Sequence, residues 1–356
     1  MMSLVVKPYG RSPVYNCMLS IKDEKRGLLF SGALGTTGKS GNLVSAEYRF
    51  KTGSITKLLT TTVILQLIEE GLLGLEDSYL DLINKETLKI LSRLHFFEET
   101  NYSKKISIYH LLQHSSGLPD YFSDDERFIK YVMQHPLQSW DWKLVMEKYF
   151  DFELNLKPSF VPGNGFHYSD TNYLLLSILI EQITNKALQQ VYREKIITPL
   201  GLNDTYLEFY ELPEQIKPVV YPYYGVHSLE NINTSFDWGG GGLTSTMNDL
   251  DIFIRSLIKG ILFKKLESLD LLMQLQNTYS LTDKTSRSIQ YGLGIQKKDF
   301  PGFTFFGHSS AYGSMLFYEP EKNISIILSL NQVTAVHKAE WLMKKIILGF
   351  KKEYYL

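Results

Sequence analysis

Cysteine is nearly absent from this chain: Cys17 is the single thiol among 356 residues. No disulfide can form within the chain, and cysteine-based zinc sites are excluded with it. A surplus of either charge is missing too, since 37 basic residues stand against 38 acidic ones and leave a net charge of −1. Polyanion binding depends on clustered Lys and Arg, so nucleic-acid recognition is not expected. No apolar run approaches the roughly 20 residues needed to span a bilayer. The N-terminus, "MMSLVVKPYG", has neither the apolar stretch nor the small-residue cleavage site of a secretory leader. The expected location is therefore cytosolic, or extracytoplasmic if a leader was removed. The tetraglycine at 239–242 lacks the Gly-Lys-[Ser/Thr] of a phosphate-binding loop. Its expected use is to let backbone pass close beneath a cleft.

What is present is an ordinary globular composition, 44% apolar and 21% charged, with material for a large core. Short strands are expected at 13–20 and 27–34, separated by the charged turn "IKDEKR". Leu58, Leu59, Val63, Ile64, Leu67 and Ile68 recur at helical spacing after Ser54, and Gly71 stops the run. From there to about 210 the pattern is mostly helical, with further helices expected at 171–184 and from Met247 to Lys259. After Gln290 the period changes. "YGLGIQK", "GFTFFGH", "GSMLFYEP" and "NISIILSL" read as consecutive antiparallel strands, followed by a helix over about 333–350. The expected fold is α+β, of the α/β sandwich type. One antiparallel sheet is built from both chain ends and flanked by helices, with a mostly helical lobe inserted. A single catalytic domain, 1–356, would then have an α/β lobe of about 1–56 and 285–356 and a helical lobe of about 57–284.

Chemistry is suggested first by "GSITK". Ser54 and Lys57 lie three apart at a helix start, so the amine can reach the hydroxyl. A serine becomes a nucleophile only when a base takes its proton, and a lysine can do so only if its pKa is lowered. Equally, Ser54 could cap the helix while Lys57 sits at its rim. In "GNGFHYSDTNYLLL", Tyr168 ends a Gly-rich loop before an apolar helix, where a phenol could relay a proton. The plain reading is that it anchors the loop while Ser169 or Asp170 caps the helix. "GHSSA" at 307–311 nearly fits a nucleophile elbow, but an elbow needs strand–turn–helix and here strand follows strand. His110 and His114 stand four apart without the Glu of a zinc-binding H-E-x-x-H, so no metal site is expected. "YPYYG" at 221–225 could wall a pocket or pack a loop.

In order and spacing, "GSITK", "HSSGLPDY", "PGNGFHYSDTNYLLL", "WGGGGLTSTMNDL" and "GHSSAYGSMLFYEP" resemble the serine β-lactamase/penicillin-binding family. The match is to the branch of class C β-lactamases, D,D-carboxypeptidases, D-aminopeptidases and related esterases, and it runs from about 45 to 330. The resemblance implies the β-lactamase/transpeptidase-like fold and two-step acyl transfer without metal or organic cofactor. Ser54 would be acylated, with Lys57 and Tyr168 handling its proton. The backbone N–H groups of Ser54 and Ala311 would hold the oxyanion. His308, Ser309 and Ser310 match the element lining the cleft, where His308 and Ser309 would position a substrate carboxylate or polar tail. Two positions depart from the pattern. Asp170 stands where Asn is usual and would keep Lys57 charged, favouring Tyr168 as base, unless it turns away to cap the helix. Ser310 replaces a glycine.

The implied activity is that of a serine hydrolase on an amide, ester or β-lactam carbonyl, with a carboxylesterase or D-amino-acid peptidase/D,D-carboxypeptidase preferred. The partner is a small-molecule or peptide substrate, without nucleic acid or transmembrane anchoring, and a monomer is plausible. The alternative is a non-catalytic sensor or scaffold that keeps the penicillin-binding fold, or a protein that acylates without deacylating.

Overall fold

The computed structural model describes residues 1–39, 41–213, 215–278 and 289–354. Eight antiparallel strands form its main sheet: β1 (Asn16–Asp23), β2 (Leu28–Gly35), β3 (Gln276–Thr278), β4 (Ile289–Tyr291), β5 (Gln296–Phe300), β6 (Phe303–Ser309), β7 (Ser314–Glu319) and β8 (Ile324–Ser329). Their spatial order is β3-β4-β5-β6-β7-β8-β1-β2, so the N-terminal hairpin completes a meander contributed by the other end of the chain. The join pairs Met18 with Ser329 and Ile21 with Ile326. Between β2 and β3 lies the mostly helical segment. The expected lobe boundary near 284 falls outside the described residues.

Side-chain alternation explains why the central strands of this sheet are buried on both faces. Cys17, Leu19 and Ile21 of β1 and Met315 and Phe317 of β7 point to one core, which the helix Val336–Tyr354 covers with Ala339, Leu342, Met343, Ile346 and Ile347. Met18, Leu316, Tyr318 and Ile327 point the opposite way, into a larger core shared with the helical lobe. At the centre of that lobe, α1 (Thr56–Glu69) and α2 (Asp170–Thr184) pack together. Both are apolar nearly all round, as fully buried helices must be. Among the described residues, no helix is long and apolar enough to cross a membrane.

Two local expectations need correction. β1 continues through Ile21, Lys22 and Asp23, and the turn begins only at Glu24. The charges are tolerated in the strand because Lys22 pairs with Asp251 at 2.8 Å and Asp23 accepts a hydrogen bond from Arg26 N at 3.3 Å. The segment "YGLGIQK" is not one strand: it breaks after Tyr291, and the Gly292 N–H closes a turn onto Ile295 O at 2.8 Å.

Candidate active site

Ser54 sits in a single 3₁₀ turn, Gly53–Ile55, that leads directly into α1. Its hydroxyl caps neither element, so the plain reading of this serine as a helix cap does not hold. Gly53 before it has φ +56°, a conformation glycine adopts without a steric penalty. A Cβ at that position would run into the Ser310 hydroxyl and lie 2.9 Å from the Tyr312 ring. Gly53→Ala is therefore expected to cost roughly 1–3 kcal/mol in stability and to displace the Ser54 turn. Thermal denaturation together with turnover would register both losses.

Lys57, one turn on, is fully buried. Its ammonium donates to Ser54 Oγ at 3.3 Å, to Gly240 O at 2.8 Å and to the Asp170 carboxylate. Burial alone would lower its pKa. The Asp170 charge outweighs that, aided by Tyr168, and holds it well above the ordinary lysine value. Asp170 thus turns toward the lysine rather than capping α2, whose N-terminus carries no side-chain cap. Ser169 Oγ instead donates to Pro119 O at 3.1 Å.

Tyr168 lies beside this pair, its ring centroid 5.0 Å from Lys57 Nζ. Its Oη is buried and makes no hydrogen bond. Burial pushes the phenol up to about 12, while Lys57 and Ser54 nearby pull the other way. The ring is fixed from behind by His114, with centroids 4.2 Å apart. His114 accepts from Ser169 N at 3.1 Å and pairs with Asn172 Nδ2 at 3.0 Å. His110 closes a capping box with Ser107, so the two histidines serve separate purposes.

The third motif divides. Ser310 and Ala311 line the cleft together with Gly53, Ser54, Asp170 and Asp237. Ser310 Oγ accepts from Tyr312 N at 3.1 Å, and Ser310 N donates to Ser314 O at 2.8 Å, which closes a tight turn that presents Ala311 outward. The Ala311 N–H takes no partner within this turn. His308 does not reach the cleft. It is wholly buried, with Nε2 3.0 Å from Tyr291 Oη and Nδ1 2.6 Å from Ser309 O. Burial and the Lys57 charge lower its pKa to about 3, so it is neutral. Ser309 Oγ is likewise buried and has no partner. The expected carboxylate contact through His308 and Ser309 therefore has no side chain presented to the cleft in this arrangement.

Sequence reasoning missed two carboxylates. Asp120 accepts from Asp170 N at 3.2 Å, Phe122 N at 3.0 Å and Ser123 Oγ at 2.6 Å. Burial and the neighbouring Asp170 raise its pKa to about 7. Asp237 lines the cleft and accepts from Tyr312 Oη, and burial raises it to about 6. Asp120 lies in the loop "GLPDY" and Asp237 ends the short 3₁₀ turn Ser235–Asp237, both without periodic patterning. The tetraglycine passes beneath the cleft: Gly240 O holds Lys57, and Gly239 O accepts from Thr60 Oγ1 at 2.6 Å. At Gly239 a side chain would collide with Ser177.

Ser54 thus lies between the start of α1 and the β6–β7 turn, within hydrogen-bond distance of the buried Lys57 ammonium. The family model described as Beta-lactamase matches residues 25–345, and the chain belongs to that family of serine hydrolases. It is 25% identical over 370 residues to a "Putative D-alanyl-D-alanine carboxypeptidase" of Escherichia coli, covering 88% of this chain and 77% of the relative. It is 32% identical over 185 residues to "Penicillin-binding protein 4*" of Bacillus subtilis, covering 50% of this chain and only 35% of that relative. The fold is shared with a D-stereospecific amidohydrolase from Streptomyces sp. (TM-score 0.75, 24% identity, 93% of each chain).

Proposed function

We propose that this chain hydrolyses carboxylic esters or amides through a covalent acyl-enzyme at Ser54. The observation that carries the reading is the buried Lys57 ammonium donating to Ser54 Oγ beneath an unpartnered Tyr168 hydroxyl. The ammonium makes the serine hydroxyl more acidic and leaves its proton free for Tyr168. Lys57 is held charged by Asp170, so Tyr168 in its phenolate form is the base. The Ser54 oxygen then bonds to the carbonyl carbon, and the N–H groups of Ser54 and Ala311 stabilise the oxyanion. Collapse breaks the bond to the leaving group, which departs with the proton from Tyr168. Water adds to the acyl-enzyme by the same route in reverse and frees Ser54.

The cleft lining carries the carboxylates of Asp170, already paired with Lys57, and of Asp237, and no Lys or Arg in the lining is left over to bind a substrate carboxylate. A free carboxylate on the substrate is thereby disfavoured, which argues against a dedicated β-lactamase and against a C-terminal carboxypeptidase. The non-catalytic alternative must leave Ser54, Lys57 and Tyr168 assembled without purpose. A panel of p-nitrophenyl acetate, a D-amino-acid p-nitroanilide and a chromogenic cephalosporin tests this reading. Ester or anilide turnover should exceed cephalosporin turnover by at least about tenfold in kcat/KM. The reverse ranking would overturn it.

The base assignment predicts a pH dependence. Because only the phenolate accepts a proton and Tyr168 titrates near 12, kcat/KM should rise about tenfold per pH unit from pH 7 to 10 without a plateau. Asp170 raises both Tyr168 and Lys57, so Asp170→Asn lowers both. That variant should remain active, with its alkaline limb displaced to lower pH. An inactive Asp170→Asn would give Asp170 a direct part in the chemistry.

A further inference from the structure

A second cavity adjoins the cleft. It encloses about 680 Å³, within the size range of small-molecule sites. Phe122 and Tyr312 line both spaces, so cavity and cleft meet at these two rings. Its walls come from the helix Glu126–Gln134, which turns Ile129 and Met133 toward it, and from the stretch bearing Tyr224, Leu229 and Ile232. Phe236 backs Phe122, with ring centroids 5.9 Å apart. The charged side chains in the lining, Glu126 and Lys130, pair with each other at 2.8 Å at the exposed rim. The groove therefore offers an apolar ligand burial and offers a charged one no counter-charge.

Building on the serine-hydrolase reading above, we infer that this groove takes the apolar acyl chain of the substrate that Ser54 attacks. Two observations select the acyl side over the leaving group. A leaving group that receives its proton from Tyr168 must depart beside that phenol, and Tyr168 is not among the residues that line the groove. The groove opens instead between Phe122 and Tyr312, and Tyr312 directly follows Ala311, whose N–H would bind the carbonyl oxygen. A chain extending from that carbonyl past Tyr312 enters the groove. The preferred substrates are therefore esters or amides of medium-length or bulky uncharged acids.

The test compares p-nitrophenyl acetate, butyrate and octanoate with a second series, acetate esters of ethanol, butanol and octanol. Octanoate should exceed acetate at least tenfold in kcat/KM along the acyl series, with the alcohol series nearly flat. Met133→Lys and Ile129→Asn, made separately, should each reduce the octanoate-to-acetate ratio at least tenfold. Met133 is already 38% exposed, so its substitution leaves the fold intact. Fluorophosphonate labelling of Ser54 in every variant reports the serine centre independently. A flat acyl series, a gain confined to the alcohol series, or an unchanged ratio in both variants, with Ser54 labelled, would overturn the groove assignment alone. No ester turnover together with no label would overturn the serine-hydrolase reading itself.

Discussion

Ser54→Ala should lower kcat/KM by about 10⁴-fold or more while leaving the melting temperature close to that of the parent protein. The size of the loss follows from the covalent step: with no oxygen to acylate, neither the oxyanion donors nor Tyr168 has an intermediate to act upon. The fold should survive because the Ser54 hydroxyl caps no helix and the hydrogen bond it accepts from Lys57 is not needed to hold that lysine. Lys57 retains Asp170 and Gly240 O as partners in the variant. Turnover of the preferred ester, with circular dichroism on the same sample, separates the two effects. Near-normal activity would remove Ser54 from the mechanism.

Lys57→Met is expected to damage both activity and stability. Turnover should fall by about 10²–10⁴-fold, because the ammonium that acidifies Ser54 and favours the Tyr168 phenolate is gone. Stability should fall by roughly 3–5 kcal/mol, the usual consequence of removing one partner of a buried ion pair. Here the residue left behind is Asp170, whose side chain is only 21% exposed, with Asp120 directly behind it. The double variant Lys57→Met/Asp170→Asn should recover much of the stability and none of the activity. Denaturant unfolding of the set measures the first, and ester turnover the second. If the double variant regained activity, Lys57 would be structural only.

Much of the proposed site was legible because the covalent chemistry proposed for it imposes short spacings. Ser54 and Lys57 must lie within one helical turn, and Tyr168 must end a loop at the start of a buried helix. Those constraints leave marks in the order of residues. The sheet was legible for a similar reason: its strands alternate in period two, and the buried helices after Ser54 and Tyr168 are continuous in apolar residues. What escaped was determined by tertiary packing. Asp120, from a loop, and Asp237, from a 3₁₀ turn, are more than a hundred residues apart and become neighbours of Asp170 only in the fold. His308 lies on the strand face that looks toward the helical lobe, but its ring fills the space beside Tyr291 instead of facing the cleft. The charged residues at the end of β1 read as a turn because their partners, Asp251 above all, are remote in sequence. The apolar groove combines a helix at 126–134 with a loop around 224–236, and no local pattern links the two.

The central claim is that Ser54 becomes acylated. Intact-protein mass spectrometry after incubation with a fluorophosphonate and, separately, with a labelled penicillin tests it most directly, with peptide mapping to locate the adduct and Ser54→Ala as the control. The account predicts a single fluorophosphonate adduct on the peptide containing Ser54, absent from the Ser54→Ala protein. Folded protein that stays unlabelled by both probes, or that carries the adduct on another residue, would contradict it.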